Sequence, residues 1–312
     1  MDLRQLRYFT AVARERSFTR AAQLLNIAQP PLSRQIQSLE EELGVALLIR
    51  NSRPVRLTEA GRLFYEQSLQ VLGRVEQMRA ATRRVGLNQN SVLSIGFVAS
   101  TLYGGLPSLV RKLRQRAPET EIQVLEMASV QQIPALKEGR IDIGFGRMHH
   151  ADASVVGIVL REERLVVAIP KGTPLAQEHG PLPVGALTGE RVIVYPKEPR
   201  PGYADHVLNL LHGHGARPAE VQEVRELQTA LGLVAAEAGL CIIPSSAQQM
   251  RSDVHYRLLE GERTNSPVIL YHRVGDNSVQ INLVKDLIQE MYAENPPWLS
   301  GEHNLATRPS FT

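Results

Sequence analysis

Four side chains suited to reading base edges recur at helical spacing near residue 30: Gln29, Ser33, Arg34 and Gln37. A guanidinium can bridge O6 and N7 of guanine, an amide can pair with N6 and N7 of adenine, and a serine hydroxyl is a short, adaptable donor and acceptor. Further along, Arg50 and Arg53 lie in the turn-forming run Arg50-Asn51-Ser52-Arg53-Pro54 and Arg56 just beyond it, and all three carry the charge to engage backbone phosphates. A solvated polar face on an ordinary helical bundle is the competing reading of the first group. Other reactive side chains do not assemble. His149-His150 and His212-Gly213-His214 have no Cys, Asp or Glu at ligand spacing, so they read as loop histidines. Gly144-Phe145-Gly146 lacks the third glycine of a nucleotide fingerprint, and Cys241 lies in an apolar run as a packing residue. No catalytic set, metal site or cofactor is expected, and the chain does not read as an enzyme.

The elements that must hold the polar quartet follow from periodicity. Leu3, Leu6, Phe9 and Ala13 mark a first helix, Ser17 to Thr19 break the run and can cap, and Ala21, Ala22, Leu24 and Leu25 supply the apolar side of a second. After Asn26-Ile27-Ala28, Pro30 opens a third helix, because proline is tolerated in a first turn. In that helix Leu32, Ile36, Leu39 and Leu43 form a buried stripe, with Gln29, Ser33, Arg34 and Gln37 opposite. Val45–Ile49 and Val55–Leu57 read as strands on either side of the basic turn. Three helices and a basic hairpin make a winged helix-turn-helix over residues 1–58. From the N-cap Thr58 to Gly86 no proline intervenes, so residues 59–86 predict a linker helix of about 40 Å at 1.5 Å per residue. Phe64, Val71, Met78 and Val85 recur at heptad spacing with Leu72 and Val75 between them, either as a dimerisation seam or as packing onto the same domain.

At 312 residues the chain is too long for one average domain. Its 43% hydrophobic and 21% charged residues are ordinary globular composition. Apolar runs such as Val45–Ile49 and Leu165–Ile169 are too short to span a bilayer, so no membrane association is expected. The opening Met1 to Arg7 lacks the layout of a secretion signal, and with a single Cys241 this predicts a cytoplasmic protein. The net charge of +3 conceals an asymmetry: residues 1–86 hold 14 Arg and no Lys against 8 acidic residues, a surplus of six, and the remainder has a deficit of three. A basic module on a slightly acidic body points to a polyanion partner.

Residues 87–91 read as a hinge. Beyond it, strands at Val92–Val98, Ile122–Met127, Ile141–Phe145, Leu165–Ile169, Arg191–Pro196 and Gly239–Pro244 alternate with helices at Leu106–Arg116, Ile133–Glu138 and Leu227–Glu237. That alternation predicts an α/β body with a largely parallel sheet.

Five motifs in order now carry a resemblance: Leu6-Arg7-Tyr8-Phe9, Ser17-Phe18-Thr19-Arg20-Ala21-Ala22, Gln29-Pro30-Pro31-Leu32-Ser33-Arg34-Gln35-Ile36, Leu39-Glu40-Glu41-Glu42-Leu43-Gly44 and Leu57-Thr58-Glu59-Ala60-Gly61. Together they resemble the DNA-binding domain and linker helix of LysR-type transcriptional regulators. The resemblance implies an α/β multidomain protein whose effector domain is similar to type 2 periplasmic binding proteins. Lobe I would comprise 92–162 and 268–298, lobe II 163–267, and 299–312 a disordered tail. It further implies a homo-oligomer, commonly a tetramer built as a dimer of dimers, on double-stranded promoter DNA. Such regulators usually activate a divergent operon through RNA polymerase and repress their own gene. Gln29, Pro30, Ser33, Arg34 and Gln37 would read bases, and Arg50, Arg53 and Arg56 would hold phosphates.

Ile95-Gly96-Phe97-Val98, Ala135-Leu136-Lys137-Glu138-Gly139-Arg140-Ile141-Asp142, Gly144-Phe145-Gly146-Arg147 and Ala230-Leu231-Gly232-Leu233-Val234-Ala235-Ala236 are similar to the regulators of benzoate and catechol degradation that respond to cis,cis-muconate. This implies an effector cleft in which Ser100 and Ser129 offer hydroxyls to a small carboxylate and backbone groups at Thr101, Pro201, Gly202 and Tyr203 close over it. The family pattern carries Thr at the position of Ser129 and Asn-Phe at Gly202-Tyr203. Arg147 and Arg161 resemble a second, buried site for an aromatic carboxylate; an ion pair with Glu163 or Glu226 is the structural alternative. A LysR-type regulator of another small acid, a solute-binding protein and an enzyme on the two-lobed body are the remaining readings. The second would have no use for residues 1–86, and the third lacks any nucleophile–base or metal set.

Overall fold

A computed structural model describes residues 1–50, 52–86, 91–300, 304–305 and 309. The chain divides into two compact units, Met1–Gln89 with Lys137–Gly139, and Asn90–Leu136 with Arg140–Thr312.

In the first unit α1 (Leu3–Glu15), α2 (Phe18–Leu24) and α3 (Gln29–Leu43) precede the antiparallel pair β1 (Leu48–Ile49) and β2 (Arg56–Leu57), and α4 (Glu59–Gly86) follows. Local chemistry sets each boundary. Asp2 and Gln5 form a capping box on α1, and Ser17 caps α2 by accepting from the Arg20 N–H. Proline in its first turn opens α3, and Gly44 ends it at φ +71°. Phe9, Leu32, Ile36 and Leu39 fill the core, with the Phe64 ring edge-on to Phe9 at 5.2 Å. Leu43 is a correction: at the last position of α3, where the chain turns toward the hairpin, the stripe runs past the core and this leucine is exposed. Leu24, at the end of the seven-residue α2, is likewise exposed.

Glu40 is the junction between helix and wing. Its carboxylate accepts from the Leu47 N–H at 2.8 Å, the Leu48 N–H at 3.0 Å and Arg50 Nη2 at 2.6 Å. The hairpin is thereby hung from α3 by charge-assisted bonds.

At the start of α4 the Thr58 hydroxyl accepts from the Gly61 N–H. A Cβ on Gly61 would stand 2.0 Å from the Leu47 carbonyl oxygen, so helix and wing backbones approach as only glycine allows. Gly61→Ala is therefore expected to destabilise the first unit by about 1–3 kcal/mol or more, as overpacking does. Urea unfolding of the full chain with amide exchange read over residues 1–62 checks it; unchanged protection there would contradict the packing. Along α4 the expected seam divides. Phe64 packs into its own domain, Val71 and Met78 are exposed on this chain, and the side chain of Val85 lies outside the described residues. The expected hinge falls on 87–90, also outside the described residues, and Ser91 already belongs to the next strand.

The second unit is built on one mixed sheet. Its strands are β3 (Ser91–Phe97), β4 (Thr120–Glu126), β5 (Ile143–Gly146), β6 (Val155–Pro170), β7 (Leu182–Pro183), β8 (Arg191–Val194), β9 (Glu220–Glu223), β10 (Leu240–Pro244), β11 (Val254–Glu260), β12 (Asn265–Arg273) and β13 (Asn304–Leu305). The main order is β4-β3-β5-β12-β6-β10-β8-β9. Within each half the pairing is parallel, β4-β3-β5 on one side and β10-β8-β9 on the other. Between them β6 and β12 run antiparallel to each other and to their neighbours, so the largely parallel expectation holds only inside the halves. The expected lobe boundaries at 162/163 and 267/268 both fall inside these continuous strands.

Helices cover the sheet: α5 (Leu106–Arg116), α6 (Ser129–Lys137), α7 (Pro174–Gln177), α8 (Tyr203–Gly213), α9 (Leu227–Ala235) and α10 (Val279–Ala293). α5 and α10 enclose a core with Leu93, Ile95, Phe145 and Leu270, while α8 and α9 bury separate cores against the β8 and β10 half. The disordered-tail expectation fails at Asn304–Leu305, which pair antiparallel with Glu163 and Glu162 of β6. An open edge of backbone donors and acceptors at that point of β6 is satisfied by the returning chain.

Candidate functional site

In the first unit, Gln29, Pro30, Arg34 and Gln37 are exposed along α3 and Ser33 is half-buried beside them. Burial of Leu32, Ile36 and Leu39 on the opposite stripe is what turns them outward. Gln37 donates to Glu41 at 3.1 Å, and Arg34 has no ion pair among the described residues. Arg53 and Arg56, at the hairpin, are exposed and also unpaired among the described residues. Arg50 differs from expectation. Its guanidinium is bound to Glu40 and lies 6.0 Å from the Phe18 ring centroid, because that carboxylate already gathers the wing's N–H groups. Arg50 positions the wing.

In the second unit a cavity of about 440 Å³ opens between the two halves of the sheet. Ser100, Ser129, Arg147, Tyr195, Pro201, Gly202 and Tyr203 line it, while Glu126, Glu198, Arg225 and Glu226 stand exposed at its rim. The N-termini of α6, α8 and α9 border it, and their partial positive charge favours an anion. Arg147 organises the floor. Its Nε donates to Ser100 Oγ at 2.6 Å, its backbone N–H to Ser129 Oγ at 3.0 Å, and its Nη2 to Glu163 Oε2 at 2.7 Å. Both serine oxygens thus act as acceptors, which leaves each hydroxyl proton to be donated to a guest. Arg147 Nη1 and the Tyr195 hydroxyl are buried without a hydrogen-bond partner.

Two expected members of this site are engaged elsewhere. Thr101 gives its N–H and its hydroxyl to the Val98 carbonyl and faces a different, apolar pocket. The Gly202 N–H is taken at 2.6 Å by Asp205, itself held at 2.6 Å by Arg200. Both are local turns whose donors are consumed by the turn.

Arg147 and Arg161 do not share a pocket. They flank one carboxylate, Glu163, with Arg161 Nη2 at 3.6 Å from the same Oε2. Glu163 Oε1 accepts from the Ser246 N–H at 2.7 Å. Burial alone would raise this carboxyl above its ordinary 4.5; Arg147, Arg161 and the Ser246 hydrogen bond overcome that and hold it at about 2. Of the two carboxylates considered from sequence, Glu163 is the partner. The buried group Arg147, Arg161 and Glu163 carries a net positive charge. Arg161 looks into an apolar pocket bounded by Leu106, Phe145, Leu160 and Tyr292. Glu163 entered the sequence reading only as one of two possible ion-pair partners, whereas Tyr195 and Glu40 were missed altogether.

Residues 3–62 match the family model described as bacterial regulatory helix-turn-helix protein, lysR family, and residues 88–293 match the LysR substrate binding domain. The chain belongs to the LysR family. A probable cat1 operon transcriptional activator of Acinetobacter lwoffii is 71% identical over 304 residues, covering 97% of this chain and 100% of that protein. The transcriptional regulator BenM of Acinetobacter baylyi is 42% identical over 96% of this chain and all of its own length. The crystal structure of full-length BenM superposes with a TM-score of 0.64 over 95% of this chain and 100% of that one. The BenM effector binding domain with its effector benzoate, 36% identical, covers 67% of this chain and 97% of that one at TM-score 0.62. This LysR-family chain is accordingly a DNA-binding transcription regulator with an effector-binding domain, and the solute-binding and enzyme readings fall away. No helix among the described residues is long and apolar enough to cross a membrane.

Proposed function

We propose that this LysR-family regulator acts in the cytoplasm as a homotetramer on promoter DNA, activates an aromatic-compound degradation operon through RNA polymerase, and represses its own gene. Its trigger is a small carboxylate such as cis,cis-muconate, held in the 440 Å³ cavity. The observation that carries this reading is the pair of serines whose oxygens accept from Arg147 and whose hydroxyls, left free to donate, line an anion-favouring space. A dicarboxylate needs neutral donors at its ends and an apolar middle, and it adds negative charge to a cluster with a positive excess. Ser100, Ser129 and the N–H of Tyr203 at the head of α8 supply the donors. The names of its relatives, an operon activator and a benzoate-responsive regulator, support the pathway. A benzoate-like acid at Arg161 is the corresponding second-site reading.

Exposed Val71 and Met78 on α4 supply an apolar stripe for a partner helix. Calorimetric titration of the full-length protein with cis,cis-muconate tests the effector. Saturable heat is expected below millimolar ligand and about tenfold weaker affinity for Ser100→Ala, the loss of one hydrogen bond to a charged group. Absence of heat at millimolar ligand removes the assignment.

A further inference from the structure

The pocket at Arg161 already holds part of this chain. Beyond α10 the backbone turns at Pro297–Leu299, and Trp298 places its ring 5.0 Å from the Arg161 guanidinium carbon and 5.6 Å, edge-on at 75°, from Tyr292. Two contacts fix this arrangement. The Asn304 side chain, itself buried, donates to the Trp298 carbonyl at 2.8 Å, and β13 adds to the edge of β6 beside Glu162 and Glu163. The ring also lies against bare backbone: a Cβ on Gly105 would stand 2.9 Å from its Cζ2 and Cη2. The space that remains is about 20 Å³. That is room for one water, against the roughly 150 Å³ of a cavity that admits benzene.

Arg161 is nevertheless unsatisfied. Its Nε and Nη2 are buried without hydrogen-bond partners, its Nη1 reaches the Tyr292 hydroxyl only at 3.5 Å, and its nearest carboxylate is shared with Arg147, which holds it more closely. The indole gives the guanidinium a π face and gives the pocket an apolar ring, but it has no oxygen to accept those N–H groups. An aromatic carboxylate has both the ring and the acceptor.

We infer that Trp298 is a built-in occupant of the Arg161 pocket, and that the strap carrying it keeps the pocket shut to aromatic carboxylates until it is displaced. The inference rests on the second-site reading of Arg161. It makes the response to such an acid a competition within the chain: apparent affinity is lowered by the fraction of molecules in which the ring is seated. Removing the ring removes the competitor and leaves the anion-binding group in place.

Trp298 is the only tryptophan in the sequence, so its emission reports the strap directly. The experiment is a benzoate titration of the full-length protein and of Trp298→Ala, Gly105→Ala and the double variant Trp298→Ala/Arg161→Gln, by calorimetry and, where the indole remains, fluorescence. Gly105 has helical angles, φ −73° and ψ −17°, so alanine is tolerated by the backbone there and acts through its collision with the ring. Trp298→Ala is expected to bind benzoate at least about tenfold more tightly than the parent, with that gain abolished by Arg161→Gln. Gly105→Ala should shift in the same direction and show red-shifted emission before ligand is added. Equal affinity in parent and Trp298→Ala, with emission unmoved by benzoate, overturns the plug. If Arg161→Gln still weakens binding in that case, the second site stands without it; if it does not, both readings go.

Discussion

Glu163→Gln is expected to destabilise the effector unit by about 3–5 kcal/mol, because it leaves two buried guanidinium groups without their carboxylate. Arg147, Arg161 and Glu163 are each nearly inaccessible, with side-chain exposures of 3%, 3% and 1%. Lowering the carboxyl from 4.5 to about 2 corresponds to ~3 kcal/mol of favourable interaction with the ionised form, in line with that figure. The pH dependence follows from the direction of the shift. The folded value lies below the unfolded one, so this stabilisation is fully present above about 4.5 and is lost as pH falls toward about 2. The deficit of Glu163→Gln relative to the parent should therefore be constant at neutral pH and narrow below about pH 4.5. Urea denaturation of both proteins over that range measures it. A difference under about 1 kcal/mol at pH 7 would mean that water solvates the two arginines, and the cluster would lose its place as the organising centre.

Arg34→Ala is expected to cost about 1–3 kcal/mol of discrimination between the operator and random duplex, about five- to 150-fold, because Arg34 is exposed on the face of α3 opposite its buried stripe and no acidic side chain among the described residues holds it. Arg53→Ala is the informative control. An exposed arginine on the hairpin that meets only phosphate should weaken binding to every sequence and reduce the salt slope by about one. Binding measured by anisotropy on specific and random duplexes at several salt concentrations separates the two. An unchanged specificity ratio for Arg34→Ala would place the base-reading face elsewhere. Arg50→Ala should behave differently from both, since its bond to Glu40 makes it a support for the wing.

How much of this could be read from residue order depends on the range of the interactions. The first unit was legible almost element by element, since Ser17 caps the adjacent helix, Pro30 opens α3, and Leu32, Ile36 and Leu39 repeat at the helical period. Gly61 ended a recognisable motif, though the reason for it, the Leu47 carbonyl, became visible only in three dimensions. The alternation of strands and helices likewise gave the α/β body, and Ser100 and Ser129, named together through resemblance, both line the one cavity.

What the sequence by itself determined is whatever each segment settles with its near neighbours: caps, periods, the basic module and the outward face of α3. Tertiary structure alone decided the pairing of distant polar groups. Glu163 meets Arg147 and the Ser246 N–H through the register of β6 with its neighbours, Arg50 comes back to Glu40 because the chain reverses after Gly44, and Trp298 reaches Arg161 because the chain comes back to the edge of β6. A buried charge must find a partner, but its partner is fixed by which strands lie side by side, and that order is a property of the whole packed sheet.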